Sequence, residues 1–160
     1  MERTNRQARR GLALMLAASG LLLFAAWLTR PMPVVRDSVQ TELLSIHVDL
    51  GEEGYLSWYP ENMVQRQTAR AITDHLARCR EQNTLRRAAA ALEEAPRIQL
   101  YFRTEDHYRV VHLGSRRDPA AQTGWSGDRD REGLAARVLD SEELSQYIME
   151  QIGGDLPSGT

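Results

Sequence analysis

The 160 residues leave room for one ordinary domain and an appendage, and the single cysteine, Cys79, excludes any disulfide within the chain. The formal net charge of −2 is unevenly spread: residues 1–36 hold six Arg and one Glu, the remainder 14 Arg and 21 acidic residues, or +5 against −7. The acidic remainder excludes charge-driven nucleic-acid binding, while a positive head beside an apolar run suits the cytoplasmic side of a membrane. All 20 basic residues are Arg, which reads as a coding bias.

Residues 1–10 form a basic head carrying Arg3, Arg6, Arg9 and Arg10. From Gly11 to Leu28 no residue is charged and seven are Leu; at the helical rise these 18 residues span about 27 Å, close to the hydrocarbon thickness of a bilayer. Each central Leu favours insertion by about 0.5 kcal/mol, roughly 3 kcal/mol for the set. Residues 11–29 are therefore expected to be a transmembrane helix. The four arginines ahead of it outnumber Arg30 and Arg36 behind it, which keeps the N-terminus in the cytoplasm of a plasma membrane and exports the rest. A cleaved signal peptide is the competing expectation. Ala17 and Ser19 fit its cleavage pattern but leave too short an apolar stretch, and cutting after Ala26 puts bulky Phe24 at an inspected position. No cysteine stands directly after the run, which argues against a lipoprotein. Ala13, Ala17 and Gly20 share one helix face and would let a second transmembrane helix approach closely.

Residues 30–41, with Pro31 and Pro33, read as an extended stalk, and an extracytoplasmic domain is expected over 42–153. Leu44, Ile46, Val48 and Leu50 alternate with Ser45, His47 and Asp49 as in a half-buried strand. Gly51–Gly54 makes a turn, and Tyr55–Tyr59 supplies a second strand with Leu56 and Trp58 on one face. A helix starts at Pro60–Asn62 and buries Met63, Val64, Ala71, Ile72, Leu76 and Cys79, so the thiol is a small core residue. Glu81–Thr84 reads as a break, Leu85–Ala95 as a short second helix ended by Pro96. Arg97–Arg103 and His107–Gly114 form a second hairpin about a turn at Thr104–Asp106. Residues 115–132 have loop composition, and Leu134–Leu139 makes a third strand of that sheet. Asp140 and Glu143 form a capping box for a last helix with Leu144, Tyr147, Ile148 and Ile152 inward; residues 154–160 are a disordered tail. The expected fold is α+β: an antiparallel sheet of about five strands in the order ββα(α)βββα, covered on one face by helices.

Four histidines invite a metal-site reading, but His47, His75, His107 and His112 lack ligand spacing, so no metal and no cofactor are expected. The acidic pairs Glu52–Glu53, Glu93–Glu94 and Glu142–Glu143 are sequence neighbours, which does not put two carboxylates across a cleft. No nucleophile elbow, phosphate loop or dinucleotide fingerprint appears, so no catalytic residue is assigned. The remaining candidates are surfaces. Tyr101, Arg103 and Arg109 are expected on outward positions of the second hairpin, in the aromatic and Arg composition that interface centres favour. Trp125, in a Gly-rich loop, is expected either to plug the core or to stand exposed as an anchor.

From Ile46 to Ile152 the chain resembles small exported α+β domains of membrane-anchored proteins and lipoproteins of Gram-positive bacteria. The features are the early hairpin, a helix ending near Leu76 and Arg78, a Pro before the second hairpin, and a late strand leading through Asp140 to a short helix. The insert Leu85–Ala95 departs from the shorter connection expected there, and the resemblance carries no activity to any residue. The function expected is a membrane-tethered, non-catalytic binding module with the lipid bilayer and a membrane or cell-envelope protein as partners. The alternatives are an accessory subunit held through its transmembrane helix and an exported enzyme working through His47 and His107.

Overall fold

Leu and Ala, both strong helix formers, carry an unbroken helix α1 (Glu2–Thr29) in the computed structural model, which describes residues 2–93, 95–105, 107–115 and 123–155, with side-chain surroundings from residue 11 onward except at 53 and 155. Its segment Gly11–Thr29 has a mean hydropathy of 2.1, long and apolar enough to cross a bilayer; a secretion signal has the same composition. Pro31 ends the helix, and the chain divides into two compact units, Met1–Arg30 and Pro31–Thr160.

The second unit is α+β and holds eight antiparallel strands in the order β1-β4-β8-β7-β6-β5-β2-β3. The expected class stands; the sheet is larger than the five strands read from the sequence. Three segments account for the difference. In place of a stalk, residues 31–33 form β1 (Pro31–Pro33), pairing with Arg80–Gln82, and Val34 and Val35 are buried in the core. In place of a break and a second helix, Arg80–Arg87 is strand β4, and only one helical turn, α3 (Ala88–Ala91), remains of the insert. Within the stretch read as loop, Gly124–Asp128 is strand β7. β4 is polar almost throughout, yet β1 on one side and Leu134–Val138 (β8) on the other satisfy its backbone groups, which outweighs its helix propensity.

The two hairpins form as their alternation implies. β2 (Glu42–Asp49) pairs with β3 (Tyr55–Trp58), and β5 (Ile98–Arg103) with β6 (Tyr108–Leu113). Positive φ at Gly51 and Gly54 makes the first turn accessible. A bulge at Leu44 in β2 shifts the register: Leu43, not Leu44, enters the core, and Ser45 joins His47 on the opposite face. α2 (Met63–Leu76) starts in a capping box, with the Asn62 side chain accepting from the Gln65 backbone N–H while the Gln65 side chain accepts from that of Asn62. α4 (Ser141–Ile152) begins differently from the expected box. Asp140 makes no cap bond, and its carboxylate instead accepts from the Arg80 N–H, tying the helix start to β4.

The main core lies between the sheet and the pair α2–α4. Leu43, Ile46, Val48, Leu100, Phe102, Val111 and Leu113 meet Ile72, Leu76, Leu144, Ile148 and Ile152, each 2% exposed or less. Met63 and Val64, expected in this stripe, are instead exposed at the first turn of α2. Cys79 is buried as expected, and burial, then Asp140 and Glu143, push its thiol pKa up to about 11, so it is no nucleophile at neutral pH. The other face carries a smaller cluster, Ala88, Ala91 and Leu92 of the α3 region over Val110 and Ala135. Helical cover thus lies on both faces rather than one, but on this second face it is a single turn, set against β4, β7 and β8, whose cluster extends to Val110 of β6 and the edge of Tyr101 of β5. The expected disordered tail lies outside the described residues beyond Asp155, and Asp106, Glu94 and 116–122 of the expected turn, helix and loop do so too.

Candidate binding face

The half of the second face that α3 leaves uncovered belongs to β3, β2 and β5. Strand alternation, with the bulge at Leu44, aims Tyr55, Ser57, Ser45, His47, Gln99, Tyr101 and Arg103 outward there. His47 is the centre of the group. Its ring lies 5.9 Å from that of Tyr55 in a near-parallel stack and 6.0 and 5.6 Å from those of Tyr59 and Tyr101 edge-on. Both ring nitrogens are engaged, Nε2 with the Ser45 hydroxyl at 3.2 Å and Nδ1 with the Ser57 hydroxyl at 2.9 Å. Burial lowers its pKa below the ordinary imidazole value, so it is a neutral hydrogen-bonding group at pH 7. The chain Ser45–His47–Ser57 also has the connectivity of a hydroxyl beside a base that a third group orients.

Next to His47 a cleft of about 400 Å³ opens between Leu44, Ser45, Tyr59, Tyr101, Tyr108 and Arg129. The Arg129 guanidinium lies 5.7 Å from the Tyr101 ring and 5.8 Å from that of Tyr108, a cation held over two π faces. Deeper in the same face Gln99 donates from its amide to Tyr101 Oη at 2.7 Å and to His112 Nε2 at 2.8 Å. Accepting at Nε2 puts the His112 proton on Nδ1, which is buried without a partner among the described residues. Burial, with Arg131 adding to it, lowers the His112 pKa to about 4.

Of the residues singled out from the sequence, Tyr101 lies on this face as expected. Arg103 is outward too, ion-paired with Glu42 at the rim, both side chains more than half exposed. Arg109 is not outward. It pairs with Phe102 and so points to the core face, where Nη2 donates to both oxygens of Glu81 at 3.2 Å and to Ser126 Oγ at 3.2 Å, and Nη1 donates to the Val34 carbonyl at 3.1 Å. Ser126 in turn donates to Glu81. Two adjacent apolar residues, Val110 and Val111, hide this strand's face assignment, and the buried carboxylate that attracts Arg109 comes from a strand not expected at all. Trp125 sits in β7, not in a loop; half-buried against the α3 cluster with the Arg86 guanidinium 4.9 Å above its ring, it fills the role of a plug. Ala13, Ala17 and Gly20 are exposed on α1.

His112 reaches His47 only through the intervening Gln99, and the other two histidines are engaged elsewhere. His75 stacks on Tyr147 with ring centroids 3.9 Å apart, and His107 Nε2 lies 3.7 Å from Asp128. Among the described residues no three His, Cys, Asp or Glu side chains gather as a metal site would require. Glu52 lies in the 3-10 turn before β3, and Glu142 and Glu143 lie in the first turn of α4. The grouping of Ser45 with His47, and of Tyr55 with Tyr59 opposite Leu56 and Trp58, was legible from alternation. Arg129 was not, because it follows an unrecognised strand. No protein-family model, curated protein or solved structure matches this chain.

Proposed function

We propose that the chain is a membrane-tethered extracytoplasmic binding module, non-catalytic, anchored by α1 with its N-terminus in the cytoplasm and engaging its partner through the open half of the sheet. The carrying observation is the uncovered face itself: three tyrosines around a neutral histidine, beside a cleft capped by Arg129, on strands held in a rigid eight-stranded sheet. Aromatic and Arg side chains fixed on strands bring large contact area at little entropic cost, as binding-site centres do. The apolar span and the arginines ahead of it support the topology. Photocrosslinking tests the reading. A benzophenone amino acid in place of Tyr101 in the full chain, in its own cells, is expected to capture a discrete cell-envelope partner, whereas the same group in place of Val64, exposed on α2, is not. Equal capture from both positions, or none from Tyr101, would overturn it.

The Ser45–His47–Ser57 hydrogen-bond chain favours a second reading, an exported hydrolase with Ser45 as nucleophile and His47 as base. Under it, Ser45→Ala abolishes turnover of an ester probe while partner capture at Tyr101 persists; under the first, no such turnover exists to lose.

A further inference from the structure

We infer that the cleft beside His47 takes an acidic saccharide, a sugar residue carrying a carboxylate, with Arg129 holding the carboxylate and the Tyr101 and Tyr108 side of the cleft holding the sugar ring. The inference rests on the binding-face reading above and goes further by naming the ligand's chemistry.

Charge complementarity comes first. Among the described residues two cations border the cleft, Arg109 and Arg129, and no carboxylate does. Arg109 is spoken for, its guanidinium committed to buried Glu81, Ser126 and the Val34 carbonyl. Arg129 is different: only the rings of Tyr101 and Tyr108 meet its guanidinium, and no ion pair reaches it among the described residues. A planar guanidinium positioned by two rings and lacking a counter-ion is preorganised for a planar monoanion, which it binds through paired N–H donors. A dianionic phosphate would call for a second free cation, and His47, neutral at pH 7, does not supply one.

The rest of the lining selects the body of the ligand. β5 is paired on both edges, with β2 and β6, and β3 covers the outer edge of β2 over Ile46–Asp49, so among the described residues the only strand edge left beside the cleft is the short stretch Glu42–Ser45, interrupted by the bulge at Leu44, a poor ladder for a peptide. Recognition runs mainly through side chains. Those available are Ser45, His47, Tyr59, Tyr101 and Tyr108, hydroxyls and an imidazole that both donate and accept, alongside flat ring faces. Sugar hydroxyls have the same dual character, and the C–H face of a pyranose stacks on tyrosine. A volume of about 400 Å³ admits one or two such units.

The test is calorimetric titration of the full chain in detergent micelles with a galacturonic acid trisaccharide and with the uncharged galactose trisaccharide. The wild type is expected to bind the acidic trisaccharide about tenfold more tightly than the neutral one, the scale of one charge-assisted contact. Arg129→Gln should erase that preference, leaving both at the neutral level with an unchanged circular dichroism spectrum, and Tyr101→Leu should weaken both. Equal binding of the two sugars, binding of neither, or a preference surviving in Arg129→Gln would overturn the inference. A benzophenone amino acid in place of Tyr55, exposed beside His47 on the same face but outside the cleft lining, leaves the proposed sugar contacts intact: capture there that persists in excess acidic trisaccharide would remove the saccharide and leave the binding-face reading standing, and loss of capture from both positions 55 and 101 would remove both.

Discussion

Glu81 is a carboxylate only 4% exposed, and what keeps it there is a set of named donors: Arg109 through both oxygens, and Ser126. A buried ion pair is costly to form and costlier to break, because removing one partner strands the other charge away from water. Arg109→Leu or Glu81→Ala is therefore expected to destabilise the domain by about 3–5 kcal/mol, read from the denaturant midpoint of the near-UV signal of buried Trp58, whereas the double replacement Glu81→Met with Arg109→Met recovers most of the loss. Single losses under about 1 kcal/mol would show that the pair does not hold Val34 in place. His112 makes a second residue-level test. Its folded pKa of about 4 lies below the ordinary 6.5, so between those values the unfolded chain binds a proton that the folded chain refuses. Its contribution is present above pH 6.5 and is lost as pH falls toward 4, by about 3 kcal/mol at most. His112→Gln should flatten the stability profile across that window; an unaltered slope would mean that other groups set it.

At the scale of elements, β7 is where packing rather than propensity writes the structure. A Cβ on Gly124 would lie 2.7 Å from the Ser141 Cβ and 2.9 Å from that of Val138, so the strand can pass beneath the start of α4 only with glycine there. Gly124→Ala is expected to cost about 1–3 kcal/mol in the same unfolding experiment, and a neutral effect would mean that α4 is not seated as described. Gly127 likewise lies where an added Cβ would come 3.3 Å from Leu92, letting α3 close on the sheet. To periodicity these glycines look like a loop, which is why β7 was missed and Trp125 misplaced. β4 was missed for a related reason: a central strand reading Arg-Glu-Gln-Asn-Thr-Leu-Arg-Arg has no alternation of apolar and polar residues, since its one deeply buried side chain is Glu81. The hairpins β2–β3 and β5–β6 and the helices α2 and α4 were legible because each carries its own apolar period. All of the candidate face except Arg129 lies on those hairpins, so the outward positions of His47, Ser45, Tyr55 and Tyr101 could be read from alternation, while Arg129 and the true neighbours of Arg109 depend on strands that no local pattern reveals.

For the whole molecule, an apolar helix of 19 residues and a folded unit with one open aromatic face are joined at Pro31. The binding reading needs that face on the outer side of the membrane, where a cell-envelope ligand can reach it. Chemistry already in the chain makes the topology measurable, because its one cysteine is buried with a thiol pKa near 11 and stays silent to maleimides. Glu61→Cys, at an exposed position ahead of α2, adds a single reactive thiol. Intact cells treated with a membrane-impermeant maleimide are expected to yield fully labelled, membrane-bound protein. Labelling that appears only after the cells are broken open would contradict the account.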